Sequence, residues 1–233
     1  MKIFDKLGLN EKLVKGLAKQ NITEPTKVQS LTIEKIIENK DLLVNSETGS
    51  GKTLSYLLPM FEKINTDKKD PQVLVLAPTH ELVMQIANEA KLLAKNSSIP
   101  VNTFAVIGEV NIQKQVKNIK TIKPHIVVGT AGRLLDLIQQ RKLKVHEVKT
   151  IILDEVDSLV TRKGEAIVEK IIKETFDEYF PKLEDRTEVF YNFIDVENLQ
   201  GLALEAPTFN DDFTGTRILT IGRLDYQKGY DLA

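Results

Sequence analysis

The chain of 233 residues contains no cysteine and no tryptophan. Without cysteine, disulfide bonds, thiolate catalysis and zinc sites built from sulfur ligands are all excluded. No segment approaches the roughly 18 continuous apolar residues that span a bilayer, and residues 1–9 lack the pattern of a signal peptide. We therefore expect a soluble cytoplasmic protein with no membrane partner.

The chain has no large excess of either sign of charge, since it contains 32 basic and 33 acidic residues and its net charge is −1. A general basic field is excluded, so any affinity for nucleic acid must come from a local surface. Hydrophobic residues make up 42% of the chain, which is enough for a core. The length allows one large domain, or one domain with an additional fragment.

Short apolar runs alternate with amphipathic segments through most of the chain. Apolar residues three and four apart predict helices, and short β-branched runs predict buried strands. The predicted strands are 42–44, 73–78, 101–107, 126–129 and 150–154, and the predicted helices are 10–20, 27–38, 51–64, 80–95, 111–121, 132–140 and 161–179. This alternation indicates an α/β fold with a parallel sheet covered by helices, whose ligands lie at the carboxyl ends of the strands.

A phosphate-binding loop is predicted where the first strand passes into a helix, in DLLVNSETGSGKT at 41–53. The glycines allow backbone N–H groups to turn around phosphate oxygens, Lys52 supplies a positive charge, and the Thr53 hydroxyl suits Mg²⁺. The usual pattern has glycine at position 46, where this chain has Ser46. The alternative interpretation is an ordinary glycine-containing surface turn.

Three carboxylates, Asp154, Glu155 and Asp157, close the predicted strand TIILD. Carboxylates crowded at a strand end are costly unless a cation compensates their charge. If Mg²⁺ is that cation, Asp154 would hold it directly or through water, and Glu155 would orient or deprotonate an attacking water. Taken alone, the cluster is more simply an acidic loop before a helix cap. Its pairing with Lys52 and Thr53 upstream is what favours the metal.

Six segments of the chain stand in a distinctive order. They are Phe4, NITEPTKVQ at 21–29, SETGSGKT at 46–53, PTHELVMQ at 78–85, TAGRLLD at 130–136 and LDEVD at 153–157. Together they resemble the motifs of DEAD-box RNA helicases, in the N-terminal RecA-like domain of that family, over about residues 1–185. The resemblance implies a RecA-like P-loop domain with a parallel sheet flanked by helices, with ATP and Mg²⁺ as cofactors and RNA as the partner.

The same resemblance implies roles for individual residues. Those implied to bind the nucleotide are Phe4, Thr26, Gln29, Ser46, Glu47, Thr48, Gly49, Ser50, Gly51, Lys52 and Thr53, with Gln29 at the edge of the base. Those implied to act in catalysis are Lys52, Asp154 and Glu155, with Thr53 and Asp154 at the metal. Those implied to lie along RNA are Pro78, Thr79, Glu81, Gly108, Thr130, Gly132 and Arg133. Amides, hydroxyls and one guanidinium at strand ends suit phosphates better than bases.

Departures from the family pattern lie mostly in the half that would bind RNA. His80 stands in place of an arginine, Glu109 occupies the second position of a Gly-Gly pair, and Ala131 replaces proline. On the nucleotide side, Asn21 and Ile22 replace a glycine and an aromatic residue, which weakens stacking on adenine. ATP binding is therefore the firmer expectation.

Two features of the family are absent from the sequence. No Ser-Ala-Thr follows the carboxylates, and VFYNFI at 189–194 stands where it could supply the missing strand without the coupling residues. The second RecA-like domain is absent too, and with it the arginines that would complete the ATP site. In related phosphoryl-transfer systems, such an arginine increases the reaction rate about 10³–10⁵-fold. We expect weak ATPase activity and no unwinding from this chain alone, unless a partner chain supplies a second RecA-like domain.

Residues 186–233 form a short tail in which the alternation of strands and helices stops. A segment of about this length is at or below the size that folds alone, so it must pack on the first domain, pair with another chain or stay partly disordered. YNFIDVENLQ at 191–200 and RILTIGRLDYQKGYDLA at 217–233 resemble part of a family 4 glycosyltransferase of the GT-B fold. That resemblance implies that Arg223 and Lys228 grip a donor diphosphate.

Three hypotheses of different classes follow. The leading one is an ATP- and Mg²⁺-binding domain of the DEAD-box RNA helicase type, joined to a foreign fragment. The second is a non-catalytic remnant that binds RNA or a protein partner. The third is a fragment of a GT-B glycosyltransferase.

Overall fold

The computed structural model describes residues 4–46, 49–108, 110–159, 162–179 and 217–222. Within these ranges, 157, 162–165, 176–179 and 217–222 are described by their backbone alone. Along the described residues, no helix combines the length and the apolar character that crossing a membrane requires.

Helices and strands alternate along the chain as the hydrophobic pattern predicts. The strands are β1 (Leu42–Asn45), β2 (Val73–Leu76), β3 (Thr103–Val106), β4 (Ile126–Gly129), β5 (Thr150–Asp154) and β6 (Arg217–Gly222). The helices are α1 (Glu11–Ala18), α2 (Lys27–Ile37), α3 (Lys52–Lys63), α4 (His80–Ser97), α5 (Ile112–Ile122), α6 (Ala131–Gln139), α7 (Val156–Leu159) and α8 (Arg162–Tyr179), and a 3-10 helix at Phe4–Leu7 precedes them. The short helix α7 was not predicted.

The described strands form one parallel sheet in the order β1-β6-β5-β2-β4-β3. Strand β2 lies near its centre, with Val75 opposite Ile152 on one side and Val128 on the other. Strands β2, β4 and β5 are buried at every position, which explains why their sequences are almost continuously apolar. The predicted α/β fold with a parallel sheet flanked by helices is confirmed.

Two hydrophobic cores cover the two faces of the sheet. Successive residues of β2 alternate between them, because neighbouring side chains of a strand point to opposite faces. Val73 and Val75 belong to the core that packs under α1 to α4, whereas Leu74 and Leu76 belong to the core under α5, α6 and α8. Both faces are therefore closed, and the carboxyl ends of the strands remain for ligands.

Strand β6 fills a place in the sheet that the sequence analysis did not assign to residues 217–222. The strand between β1 and β5 is Arg217–Gly222, whereas residues 189–194, which could have supplied the missing strand, lie outside the described residues. Its register sets Leu219 opposite Leu42 of β1 and Ile221 opposite Asp154 of β5. Residues 217–222 of the tail thus pack on the first domain, as one of its strands.

Candidate functional site

The phosphate loop joins β1 to α3, in the predicted order of strand, loop and helix. Two of its glycines have left-handed backbone conformations, Gly49 at φ 79° and Gly51 at φ 93°. A Cβ atom on Gly51 would lie 2.5 Å from Gln29 Nε2 and 3.1 Å from Thr26 Oγ1. Position 51 therefore requires glycine both for its conformation and for its space.

Lys52, the first residue of α3, places its charge inside this loop. Its Nζ donates a hydrogen bond to the carbonyl oxygen of Ser46 at 2.6 Å. The Ser46 hydroxyl donates to the Ser50 hydroxyl at 2.6 Å, so the serine that replaces the usual glycine closes the loop. A phosphate oxygen in place of this carbonyl would give Lys52 a stronger, charge-assisted hydrogen bond. Glu47 and Thr48 lie outside the described residues.

Asp154, the last residue of β5, is a buried carboxylate beside this loop, with 3% of its surface exposed. Its Oδ2 accepts a hydrogen bond from the Tyr56 hydroxyl at 2.8 Å, and its Oδ1 accepts one from the Glu155 N–H at 3.0 Å. Burial raises the pKa of Asp154, while the Tyr56 hydrogen bond and the charge of Lys52 act in the opposite direction. Burial, reinforced by the charge of Asp154, raises the pKa of Tyr56 well above its ordinary value, so the phenol keeps its proton.

The oxygen atoms gathered here fit a magnesium ion. Thr53 lies three residues before Tyr56, whose phenol is hydrogen-bonded to Asp154, and this spacing places Thr53 and Tyr56 on one face of α3. Each Asp154 oxygen accepts one hydrogen bond from the protein and keeps a second lone pair for another partner. The described residues contain no group of three histidines or carboxylates able to hold an ion by themselves. That suits Mg²⁺, which is held in proteins through one or two carboxylates, waters and phosphate oxygens.

Glu155 has an unusual backbone conformation at the turn that leaves β5. Its φ is 51°, which is uncommon for a residue other than glycine. Its carbonyl oxygen accepts hydrogen bonds from the N–H groups of Ser158 and Leu159 in α7. Such conformations cost about 1–3 kcal/mol and concentrate at functional sites. The strain therefore supports a functional role for this turn.

Gln29 ties the predicted base-binding segment to the phosphate loop. Its Oε1 accepts from the Thr26 N–H at 3.0 Å, and together with the Thr26 hydroxyl this forms a capping box at the start of α2. Its Nε2 donates to the carbonyl oxygen of Gly51 at 3.1 Å, and only 2% of the residue is exposed. The side chain thus has protein partners at both ends, and its contact with a base stays a prediction.

Phe4 belongs to the hydrophobic core and not to an open cleft. It lies in the 3-10 helix and is 1% exposed. It shares one core cluster with Leu13, Ile33 and Leu57. The structure therefore gives Phe4 a packing role, and its contact with a nucleotide stays a prediction.

A second group of predicted residues lies where β2 passes into α4. Thr79 is exposed and caps α4, with its hydroxyl accepting from the Leu82 N–H at 3.2 Å. Pro78 precedes it and is partly exposed. An open depression at this helix start is lined by Thr79, His80, Glu81 and Met84. The exposed Thr79 can still donate its hydroxyl proton to a ligand.

Arg133 of α6 holds the loop that follows β3 through hydrogen bonds. The guanidinium of Arg133 donates to the carbonyl oxygens of Ile107, Gly108 and Val110. Gln115 of α5, which is 2% exposed, donates to the carbonyl oxygen of Ile107 at 2.6 Å. Two predicted RNA contacts, Gly108 and Arg133, are thus brought together, with Arg133 directed to the loop backbone.

The start of α6, which follows the end of β4, contains two further predicted RNA contacts, Thr130 and Gly132. Thr130 is the N-cap of α6, and its side chain makes no capping hydrogen bond. Gly132 is exposed, and a Cβ atom there would meet nothing within 4 Å. A Cβ atom on Gly108 would lie 3.7 Å from His80 Nε2, so this loop adjoins the start of α4. Glu109 lies outside the described residues.

Replacing Arg133 with methionine should destabilise the protein, because the loop that follows β3 loses the hydrogen bonds that hold it. Hydrogen bonds to charged groups contribute about 1.5–3 kcal/mol, so we expect Arg133→Met to lower the free energy of unfolding by about 2 kcal/mol. The measurement is urea denaturation followed by circular dichroism. Arg141→Met, at an exposed arginine, is the matched control. Equal midpoints for the two variants would contradict the bracing role.

Tyr56 and Gln115 are site residues that the sequence analysis missed. Tyr56 lies three residues after Thr53 on α3, so the helical spacing places both on one face of the helix. Gln115 is a polar residue at a buried position of an amphipathic helix, among neighbours such as Val116 and Ile119. A polar side chain at a helix position that the hydrophobic pattern predicts to be buried was the sequence feature that could have identified both residues.

Comparison with known proteins identifies the family. The chain matches the family described as DEAD/DEAH box helicase over residues 26–188. It is 43% identical over 174 residues to the DEAD-box ATP-dependent RNA helicase CshC of Bacillus cereus, covering 75% of this chain and 42% of that protein. It is 45% identical over 152 residues to the probable ATP-dependent RNA helicase YfmL of Bacillus subtilis, covering 65% of this chain and 40% of that protein.

Solved structures agree on the fold. A DEAD box protein from Methanococcus jannaschii matches 95% of this chain and 50% of its own, with a TM-score of 0.73 and 25% identity. Dbp5 of Saccharomyces cerevisiae, in a structure with RNA and ADP BeF3, matches 95% of this chain and 46% of its own, with a TM-score of 0.69. At 20% identity, the Dbp5 match shows the fold alone.

These matches do not support the glycosyltransferase interpretation of residues 186–233. The described part of that tail, β6, is a strand of the same sheet as the phosphate loop. The chain spans less than half the length of the curated relatives named above. A family match over 26–188, together with the RecA-like fold, shows that the chain belongs to the DEAD/DEAH box helicase family.

Proposed function

We propose that the chain is the nucleotide-binding RecA-like domain of an ATP-dependent RNA helicase. The observation that carries the proposal is the meeting of the phosphate loop with Asp154 at one edge of the sheet. Lys52 and Thr53 begin α3, and Tyr56 of the same helix is hydrogen-bonded to Asp154. A lysine, a hydroxyl and a buried carboxylate beside a glycine-rich loop form a set suited to a nucleoside triphosphate with Mg²⁺.

Each residue of the set has a proposed role. The loop amides and the start of α3 bind phosphate oxygens, and Lys52 exchanges the Ser46 carbonyl for one of them. Thr53 and Asp154 hold the metal, which when bound would neutralise charge on the phosphate oxygens. Glu155, next to Asp154, orients or deprotonates the attacking water.

RNA is proposed to lie along the edge formed by Thr79, Gly108, Thr130, Gly132 and Arg133. Hydroxyls, exposed backbone at glycines and one guanidinium suit a sugar–phosphate strand more than base edges. The net charge of −1 means that this contact is local and salt-dependent. Pro78 and Glu81, which lie on either side of Thr79 and His80, are proposed to contact the same strand of RNA.

The complete activity needs more than this chain. The curated relatives are more than twice as long as the part matched here. On the proposal, a second RecA-like domain completes both the ATP site and the RNA cleft, from additional chain or from a partner chain. We propose that the protein acts in the cytoplasm. Residues 1–185 form the ATP-binding domain, with residues 217–222 added to its sheet.

The other two hypotheses are not favoured. A non-catalytic remnant would not need Lys52, Asp154 and Glu155 together at one sheet edge. A glycosyltransferase fragment gains no support from the fold, because β6 is part of the helicase-type sheet.

The proposal is tested by titrating the 233-residue protein with a fluorescent ATP analogue, with and without Mg²⁺ and single-stranded RNA. We expect saturable binding that Mg²⁺ strengthens and that unlabelled ATP displaces. We also expect RNA binding that weakens as salt is raised. Absence of saturable nucleotide binding at millimolar concentrations would reject the proposed function.

A further inference from the structure

We infer that Tyr56 is a positioning residue of the metal site, whose hydroxyl fixes the Asp154 carboxylate for Mg²⁺. The inference rests on the proposed function and assigns a role to a buried phenol outside the phosphate loop. Tyr56 is 0% exposed, and its hydroxyl donates to Asp154 Oδ2 at 2.8 Å. Thr53 lies three residues before Tyr56 on α3, so the helical spacing places both on one face of the helix. Tyr56 therefore links Asp154 to the helix that carries Thr53, the other residue proposed to hold the metal.

Packing alone does not account for a tyrosine at this position. The ring fills a fully buried place among α3 residues such as Leu57 and Met60, and phenylalanine would fill the same volume. A buried hydroxyl is costly unless it is hydrogen-bonded, and here its acceptor is the one described carboxylate that is almost fully buried. The hydroxyl thus serves Asp154 and not the core.

The two hydrogen bonds on Asp154 hold its carboxylate from both sides. Tyr56 donates to Oδ2 from α3, and the Glu155 N–H donates to Oδ1 from the turn after β5. Hydrogen bonds at both oxygens restrict the rotation of the carboxylate about its terminal bond, so its remaining lone pairs stay close to one direction. Partners that orient a metal-binding group in this way typically contribute about 10–100-fold to metal affinity.

Tyr56 also connects this carboxylate to the phosphate loop. It lies one helical turn after Lys52 on α3, so its hydrogen bond fixes the start of that helix against the end of β5. The distance between the phosphate-binding groups and Asp154 therefore depends on this contact. Its loss should act on the metal-dependent part of nucleotide binding.

The test is Tyr56→Phe, which keeps the ring and removes the hydroxyl. The readout is the Mg²⁺ concentration that gives half of the maximal gain in affinity for a fluorescent ATP analogue. We expect this concentration to rise about 10-fold, while affinity measured in EDTA changes less than about 2-fold. Thr175→Val is the matched control, because it removes a buried hydroxyl bonded to the Ile171 carbonyl on α8.

A second measurement separates a positioning role from a general loss of packing. In an Asp154→Asn background, Tyr56→Phe should cause no further change in Mg²⁺ dependence, because both variants act through one carboxylate. Additive effects would overturn the inference, as would equal Mg²⁺ dependence of Tyr56→Phe and the unmodified protein. If the unmodified protein itself binds nucleotide without any Mg²⁺ dependence, the proposed metal site fails and this inference fails with it.

Discussion

Lys52→Ala is expected to weaken binding of ATP with Mg²⁺ at least about 100-fold, because a lysine bonded to phosphate oxygens makes charge-assisted hydrogen bonds of about 1.5–3 kcal/mol each. The structure places Lys52 Nζ inside the loop, bonded at 2.6 Å to the Ser46 carbonyl. Alanine removes the charge and leaves the helix intact, since alanine has the highest helix propensity. Calorimetric titration with ATP and Mg²⁺ measures the effect.

Lys91→Ala is the matched control for this experiment. Lys91 is an exposed lysine of α4, so its loss removes the same charge without touching the loop. We expect its ATP affinity to equal that of the unmodified protein. Unchanged affinity of Lys52→Ala would mean that the loop does not bind phosphate. Equal losses in both variants would point to a general effect of net charge.

Thr220→Pro is expected to disrupt both the fold and the nucleotide site. Thr220 lies in β6, where its backbone pairs with Leu43 of β1 and with Leu153 of β5. Proline removes one hydrogen bond of the ladder and is tolerated only in edge strands or bulges. Because the acceptor on the neighbouring strand is left buried and unpaired, the cost should be about 1–3 kcal/mol. That is a large fraction of the 5–15 kcal/mol that typically stabilises a domain, as an order-of-magnitude guide.

The consequence of Thr220→Pro should extend to ligand binding. Among the described strands, β1 pairs with β6 alone, so a broken β6 releases the strand that leads into the phosphate loop. Thermal unfolding and titration with a fluorescent ATP analogue measure the two effects. Thr220→Ala, which keeps the backbone N–H, is the control. A proline variant as stable as the alanine variant would show that β6 is not a central strand.

Much of the fold could be predicted, because local pattern and tertiary environment agree at most positions. The apolar runs at 73–76, 126–129 and 150–154 are buried on both faces, and a strand buried on both faces needs a continuous apolar run. The phosphate loop could be predicted for a similar reason, since its glycines serve a local backbone conformation.

The position of β6 could not be predicted in this way. RILTIG is an apolar, β-branched run that suits a buried strand, but a local pattern does not say which neighbours a strand will have. Its partners, β1 and β5, are distant in sequence. The short likeness of 217–233 to another family then favoured a foreign fragment over a strand of this sheet.

Side-chain roles at the site were harder to predict than its location. Lys52 and Asp154 were assigned from motif chemistry, and the structure places both at one sheet edge. Phe4 and Gln29 are buried, a property that depends on packing between distant elements. The Tyr56 hydroxyl bonds to a residue 98 positions away in sequence, so spacing along the chain carries no trace of that contact.

The parallel pairing of β1 with β6 has a consequence for biosynthesis. Chains are made from the amino terminus, and pairing between distant segments must wait for the later one. The strand that leads into the phosphate loop is synthesised well before its described sheet neighbour at 217–222. The strand that carries the phosphate loop therefore cannot take its place in the described sheet until residues 217–222 have been made.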